Sequence, residues 1–287
     1  MKKYFLYLLL IAFVPMASAQ SASYVILSCK GNVQVADKSA PQGWREAKSK
    51  DKLSSTSKIK IANGARILFY DKSYHLYECN KTGEYSLDKL KSNAVINTDA
   101  AMSRSVKFMA EEMFSAHHEE KGQKAKGVVS RGENFKFPPD NTVVISSEIT
   151  FLWGASSSGP YGFAISDSNS TYFNQKTYSK SFHIALDSIQ LPQGQKFQWG
   201  TGDSQPANIY IPTLQERENI RKEIESFKSM LIYSETTNAL LLAGFYESKN
   251  LFIEADSTYE RAVKQYPEDT MLKEAYKIFL RRMGLPS

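Results

Sequence analysis

Past its first nineteen residues, the 287-residue sequence has no apolar run approaching the about 20 residues that a membrane-spanning helix needs. A helical membrane protein is therefore excluded for that portion of the chain. Cysteine is scarce: Cys29 and Cys79 are the two present, and they lack the paired C-x-x-C spacing of structural zinc. No Gly-x-Gly-x-x-Gly, P-loop, His-Glu-x-x-His or EF-hand pattern occurs, which removes the common nucleotide, zinc-protease and calcium motifs. The run from Ser156 to Gly162 does not make the Gly-x-Ser-x-Gly elbow that exposes a nucleophilic serine. His75 and His183 stand alone on strand-like stretches and read as packed or surface side chains rather than bases. The expectation is a protein with no catalytic residue, no cofactor, no metal site and no nucleic-acid partner.

What the N-terminus does have is an address. Lys2 and Lys3 precede an apolar run from Tyr4 to Val14, then Pro15 and the small-residue exit Ala17-Ser18-Ala19. This is the pattern of a bacterial secretory signal with an A-x-A cut, predicting residues 1–19 as a signal peptide. The mature chain is then expected in the periplasm or at the cell surface of a Gram-negative bacterium. Ile26-Leu27-Ser28-Cys29 also resembles the box that precedes a lipid-bearing cysteine. It stands too far from the apolar run, and the letters after it continue a strand pattern.

Charge is unevenly placed. The formal net charge is +6, and residues 20–98 hold 13 Lys/Arg against 7 Asp/Glu, whereas residues 133–212 hold 4 against 6 and residues 213–287 hold 11 against 12. The positive side chains of the first segment, Lys48, Lys50, Lys52, Lys58, Lys60, Lys89 and Lys91, are scattered with few aromatics between them. They read first as a solvated face and second as a surface for an anionic polymer.

Residues 24–97 alternate in the strand period, with turns at Gly31, Pro41-Gln42-Gly43, Asn63-Gly64 and Thr82-Gly83. The stretches VILSCKGNVQV, GWREAKSKDKLSSTSKIKIANGARILFYD and CNKTGEYSLDKL resemble the FecR-type β-domain, a resemblance covering residues 20–98. It implies a non-catalytic extracytoplasmic module associated with signalling or surface regulation. In an oxidising compartment Cys29 and Cys79 form a candidate disulfide, which would contribute about 4 kcal/mol in the chain-entropy model.

In residues 99–132, Met102, Val106, Met109 and Met113 recur at helical spacing and predict an amphipathic helix, followed by a polar linker. His117-His118-Glu119-Glu120 carries ligand-type side chains, but consecutive helical positions point about 100° apart and do not converge on one ion. From residue 133 to 212 the strand period returns. TVVISSEITFLWGASSSGPYGFAISD and SFHIALDSIQLPQGQKFQWGTGD resemble a fibronectin III or immunoglobulin-like sandwich. Trp153 and Trp199 alternate with polar neighbours, so they read as core rings, with glycan stacking as the alternative.

Residues 213–287 are helical. Thr213 and Glu216 form a capping box, and Ile220, Ile224, Phe227 and Leu231 make a stripe. ALLLAGFYESKNLFIEADSTYERAVKQYPED resembles one tetratricopeptide repeat (TPR), with Leu242, Ala243, Tyr246, Ala255, Tyr259, Ala262 and Pro267 at that family's spacing. The helices on either side, 213–232 and 271–282, are expected to cap it. Asp187-Ser188-Ile189, Asp256-Ser257-Thr258 and Asp269-Thr270-Met271 resemble a three-residue bacterial O-glycosylation pattern.

The fold class expected is multidomain β then α: an all-β FecR-like domain, an Ig-like sandwich and a helical TPR-type unit. The function expected is an exported, non-enzymatic scaffold or adaptor that meets a protein partner through its C-terminal helices. A glycan- or anionic-polymer-binding protein is the alternative.

Overall fold

The computed structural model of the chain describes residues 24–36, 43–54, 56–115, 136–154, 158–202 and 205–286. The expected signal peptide, the His117–Glu120 run and the side chain of Met113 lie outside the described residues. The order of elements is β then α, as the sequence predicts, with one early helix pair between two β-regions.

The first region forms two sheets. One has the order β4-β1-β6-β7-β9, from β1 (Tyr24–Lys30), β4 (Lys52–Leu53), β6 (Arg66–Asp71), β7 (Leu76–Cys79) and β9 (Val95–Asn97). The other has the order β3-β2-β5-β8, from β2 (Val33–Ala36), β3 (Arg45–Glu46), β5 (Lys58–Ile61) and β8 (Gly83–Ser86). Their facing sides share one core containing Ile26, Val33, Val35, Ile59, Ile61, Ile67 and Phe69. The pattern KIKI of β5, exposed and buried by turns, is the alternation of a sheet with one wet face. The segment after β8 is helical, where the sequence reads as strand. Leu87 and Leu90, one turn apart, seat α1 (Leu87–Asn93) on the core.

The opposite face of the β4-β1-β6-β7-β9 sheet is also buried. Strand β6 is RILFYD with its first four residues enclosed, the continuous apolar run of a strand covered on both sides. The second face carries Leu27, Leu68 and Leu76, which belong to the same core as the C-terminal helices. Leu27 falls on this side by alternation from Ile26, and a bulge in β1 between Ile26 and Ser28 sets Ser28, opposite Leu68, on the same side.

The middle region stacks a three-stranded sheet, β10-β12-β15, on a five-stranded sheet, β11-β17-β16-β13-β14. Its strands are β10 (Lys136–Phe137), β11 (Thr142–Val143), β12 (Glu148–Trp153), β13 (Tyr161–Ser166), β14 (Thr171–Thr177), β15 (Ser181–Ala185), β16 (Gln195–Thr201) and β17 (Ala207–Ile211). All pairings here are antiparallel except β11 with β17. Between the sheets lie Phe151, Trp153, Phe163, Phe197 and Trp199.

Five helices share the remaining core: α2 (Ala100–Ser115), α3 (Leu214–Ser229), α4 (Glu235–Ser248), α5 (Phe252–Gln265) and α6 (Thr270–Arg282). The capping box forms, with Thr213 Oγ1 accepting from Glu216 N at 3.2 Å and Glu216 Oε2 accepting from Thr213 N at 2.9 Å. Helix α4 buries ten of its fourteen residues, because helices lie on several sides of it. The linking helix α2 packs directly on α4, with Met102, Val106 and Met109 buried. No helix among the described residues is long and apolar enough to cross a membrane.

The contact of α2 with α4 depends on a missing side chain. A Cβ at Gly244 would meet Met109 Cγ at 2.7 Å. Gly244→Ala should therefore cost about 1–3 kcal/mol of stability through overpacking, despite the better helix propensity of alanine. Chemical unfolding of Gly244→Ala, Met109→Ala and the double variant checks this. The double variant should be more stable than the sum of the single losses, and simple additivity would show that the two residues do not meet.

Candidate functional site

The second face of the first sheet is where distant parts of the chain converge. Residues 66 and 78 project from neighbouring strands toward the helices, on the same side as Leu68 and Leu76. Arg66 Nη1 donates to Glu78 Oε1 at 3.1 Å, to Thr236 Oγ1 at 3.0 Å and to Thr237 Oγ1 at 3.2 Å, and also to Ser234 Oγ. Its Nη2 donates to Asp269 Oδ2 at 3.3 Å. The side chains of Arg66, Glu78 and Asp269 are 10%, 6% and 3% exposed, so water does little to screen them.

The carboxylates are satisfied as well. Glu78 Oε2 accepts from Ser234 N at 2.8 Å, and Asp269 Oδ1 caps α6 by accepting from Leu272 N at 3.1 Å. The loop between α3 and α4 is fixed by Tyr233, whose hydroxyl donates to Leu76 O at 3.0 Å and accepts from Asn97 N at 2.9 Å. Burial pushes the Tyr233 phenol well above its ordinary pKa, so it stays a donor. One guanidinium thus ties the strand pair β6–β7, the start of α4 and the start of α6. The cluster offers no free nucleophile or acid; its chemistry is that of a polar lock.

A cleft of about 470 Å³ opens beside the lock, between β1 and α6, lined by Leu27, Ser28 and Cys29 on one side and Thr270, Met271 and Glu274 on the other. The Cys29 thiol is pushed up to about 12, first by burial and then by the charges of Asp51 and Glu46. It is therefore a neutral thiol near pH 7 and a poor nucleophile.

The expected bridge between Cys29 and Cys79 does not form; both are free thiols. Cys29 lies opposite Ile67 on β6, and Ile67 lies opposite Cys79 on β7. Two strand spacings, roughly 9.5 Å, separate the cysteines, beyond the about 4.4–6.8 Å that a disulfide spans between Cα atoms. Trp153 and Trp199 are 1% and 0% exposed, so neither presents a ring face to a sugar. Trp153 stacks on Phe163, and Trp199 Nε1 donates to Pro138 O at 3.2 Å.

Leu242, Ala243 and Tyr246 on α4 meet Ala255, Tyr259 and Ala262 on α5 in one buried core, and Pro267 follows the end of α5. Tyr259 also donates to the buried Glu247 Oε1 at 2.9 Å, and Arg282 pairs with the other Glu247 oxygen. His75 Nδ1 lies 2.9 Å from Asp71 Oδ2, an oxygen that also accepts from the Tyr77 hydroxyl at 3.2 Å. His183 sits on the outer side of β15 beside Thr150. Ser188, Ser257 and Thr270 of the three Asp-led triplets are exposed. Arg45 pairs with Asp51 at 2.5 Å and Lys58 with Glu84 at 3.8 Å, so these two cations are locally paired while the net basic excess of the first region stands.

Sequence reasoning missed Arg66, Glu78 and Asp269 as a set. The available signal was an arginine opening an otherwise apolar strand, ARILFY, and an Asp-Thr pair at a helix start. Arg66 and Asp269 are 203 residues apart, so no local spacing joins them.

The helices also hold the sandwich. Ser146 Oγ donates to Glu254 Oε1 at 2.8 Å, and Val143 N donates to Asn250 O at 2.9 Å. Burial raises the Glu254 carboxyl above its ordinary value, and Ser146 offsets only part of that. Its Oε2 is buried without a hydrogen bond.

Removing the guanidinium strands two carboxylates in a dry interior. Arg66→Met should cost about 3–5 kcal/mol, and Arg66→Met/Glu78→Met should recover part of that. Chemical unfolding of both variants checks the order; a loss under about 1 kcal/mol for the single variant would show that the lock is dispensable. Glu254 has the opposite sign from a salt-bridged acid. Its folded form binds a proton more tightly than its unfolded form, so its contribution to stability is lost as pH rises through the folded value. Glu254→Gln should therefore raise the melting temperature at pH 7.5 and flatten its dependence between about pH 4.3 and neutrality. A melting curve of unchanged slope across that window would exclude Glu254 as the titrating group.

No protein-family model matches the chain, and no curated protein does.

Proposed function

We propose that the chain is an exported, non-enzymatic adaptor of the bacterial envelope. In this reading a FecR-like β-domain and an Ig-like sandwich are carried by a TPR-type helical unit, and a protein partner meets that unit. The observation that carries the reading is the Arg66 lock. It spends a buried charge cluster on fixing one β-region against the helices, while Ser146–Glu254 and Val143–Asn250 attach the other. Fixed spacing of two β-modules is what a scaffold needs, and neither contact presents a reacting atom.

The reading also locates the partner face. Inner helix α4 is used up internally, whereas α3 buries only Ile224 and Phe227 and leaves Glu218, Arg221 and Glu225 exposed. In this reading the partner meets the exposed outer face of α3, where the charges would steer its approach. The alternative, glycan binding, loses its tryptophans, since both rings are enclosed.

Photo-crosslinking in intact cells tests this with the full chain. A photoreactive residue at Glu218 or Glu225 should capture one discrete protein, and the same group at Lys60 on β5 should not. Absence of any discrete adduct from both α3 positions would count against the adaptor reading.

A further inference from the structure

The first sheet ends at β9, the last strand in the order β4-β1-β6-β7-β9. Which of its backbone groups are free follows from a bond one strand further in. Asp71 N donates to His75 O at 3.2 Å, so the odd-numbered residues of β7 bond to β6, and Leu76 and Glu78 turn their groups toward β9. Their partners Asn97 and Val95 therefore face inward, and Asn97 N reaches the Tyr233 hydroxyl that donates to Leu76 O. Ile96, between them, points its N–H and C=O away from the sheet, where no strand pairs with it among the described residues.

This edge is apolar on both faces. Six large hydrophobic side chains are exposed among the described residues, and three of them, Val95, Ile96 and Ile232, are gathered here. Val95 lies on the helix side, opposite Glu78. The loop that carries Ile232 runs past it, tied by Asn97 Nδ2 to Met230 O at 3.0 Å and by Ser234 N to Glu78 Oε2 at 2.8 Å. Ile96 lies on the other face, opposite Tyr77. A charge stands at each end of the strand: Lys81 Nζ is 3.4 Å from Asn93 Oδ1, just before β9, and Asp99 follows it.

We propose that β9 is a homodimer contact: it pairs antiparallel with β9 of a second copy about a two-fold axis at Ile96, joining two five-stranded sheets edge to edge. The edge is self-complementary in that register. Ile96 meets Ile96, so each outward N–H faces the outward C=O of the other copy. Asn93 falls across from position 99, which brings Lys81 of each copy to Asp99 of the other. The Ile96 side chains cover one another on one face, and Val95 and Ile232 of both copies gather on the other. The antiparallel sense is that of every other pairing in this sheet. An edge strand is ordinarily guarded by charge upon it; here Lys81 and Asp99 stand at its ends and the strand itself carries isoleucine and valine. This goes beyond the adaptor reading, which concerns the face of α3, and the two can fail separately.

Analytical ultracentrifugation of the purified chain from about 1 to about 200 µM is the test. A short edge contact falls below the about 1,200 Å² of a standard interface, so a dimer with a Kd of about 10–100 µM is expected. Ile96→Pro removes the outward N–H, a change that an edge strand tolerates, and should leave a monomer at every concentration. Lys81→Glu should weaken the dimer at least about tenfold, and Lys81→Arg should keep it. Hydrogen exchange at the Ile96 amide should slow as concentration rises, whereas the Val95 amide, already turned to β7, should not respond. A chain that stays monomeric to about 200 µM overturns the proposal. So does a dimer that survives Ile96→Pro, or one that leaves exchange at Ile96 unchanged. Should Ile96→Pro lower the melting temperature of the dilute monomer, Lys81→Glu and the Ile96 amide decide the matter in its place.

Discussion

Arg66 is buried among groups that come from three separate parts of the chain, and the rest of the architecture is arranged around keeping it satisfied. A guanidinium cannot shed its proton, so placing it inside the protein commits its surroundings to supplying acceptors. Glu78 provides one from the next strand, Asp269 another from the start of α6, and the α4 entry adds Ser234, Thr236 and Thr237. A hydrophobic junction of the same size would tolerate sliding or rotation. Directed hydrogen bonds to a planar fork do not, and so register between sheet and helices is fixed at this point.

That junction changes what kind of object the first sheet is. A sheet with one wet face can be a free-standing domain, but here Leu27, Leu68 and Leu76 lie on the face turned to the helices and share their core. The bulge in β1 serves the same end, because it sets Ser28, opposite Leu68, on the helix side beside Leu27. Helix α2, which reads in the sequence as a connector, is likewise a packed member of the helical core, admitted by the bare backbone at Gly244.

The elements themselves were largely legible. The strand period over 24–97 and 133–212, the capping box at Thr213 and the small-residue positions Ala243, Ala255 and Ala262 all express local physics, and local physics is written in consecutive letters. The pairing of elements was not. Cys29 and Cys79 look like partners when counted, yet β6 lies between them, and strand order is a long-range property that spacing does not encode. The same holds for the lock, whose parts come from β6, β7, α4 and the start of α6. Leu87–Asn93 escaped for a different reason: a two-turn helix is too short for its period to stand out against neighbouring strands.

The span between Arg66 and Asp269 has a kinetic consequence. Contacts of such high sequence separation form late and slow the folding of the whole chain. Until the last helix emerges and docks, the first sheet carries an arginine without its second acid beside a bare stripe of leucines, the sort of transient surface on which newly made chains aggregate. Folding of this protein is thus coupled end to end: its N-terminal sheet reaches its finished state only when its C-terminal helix does.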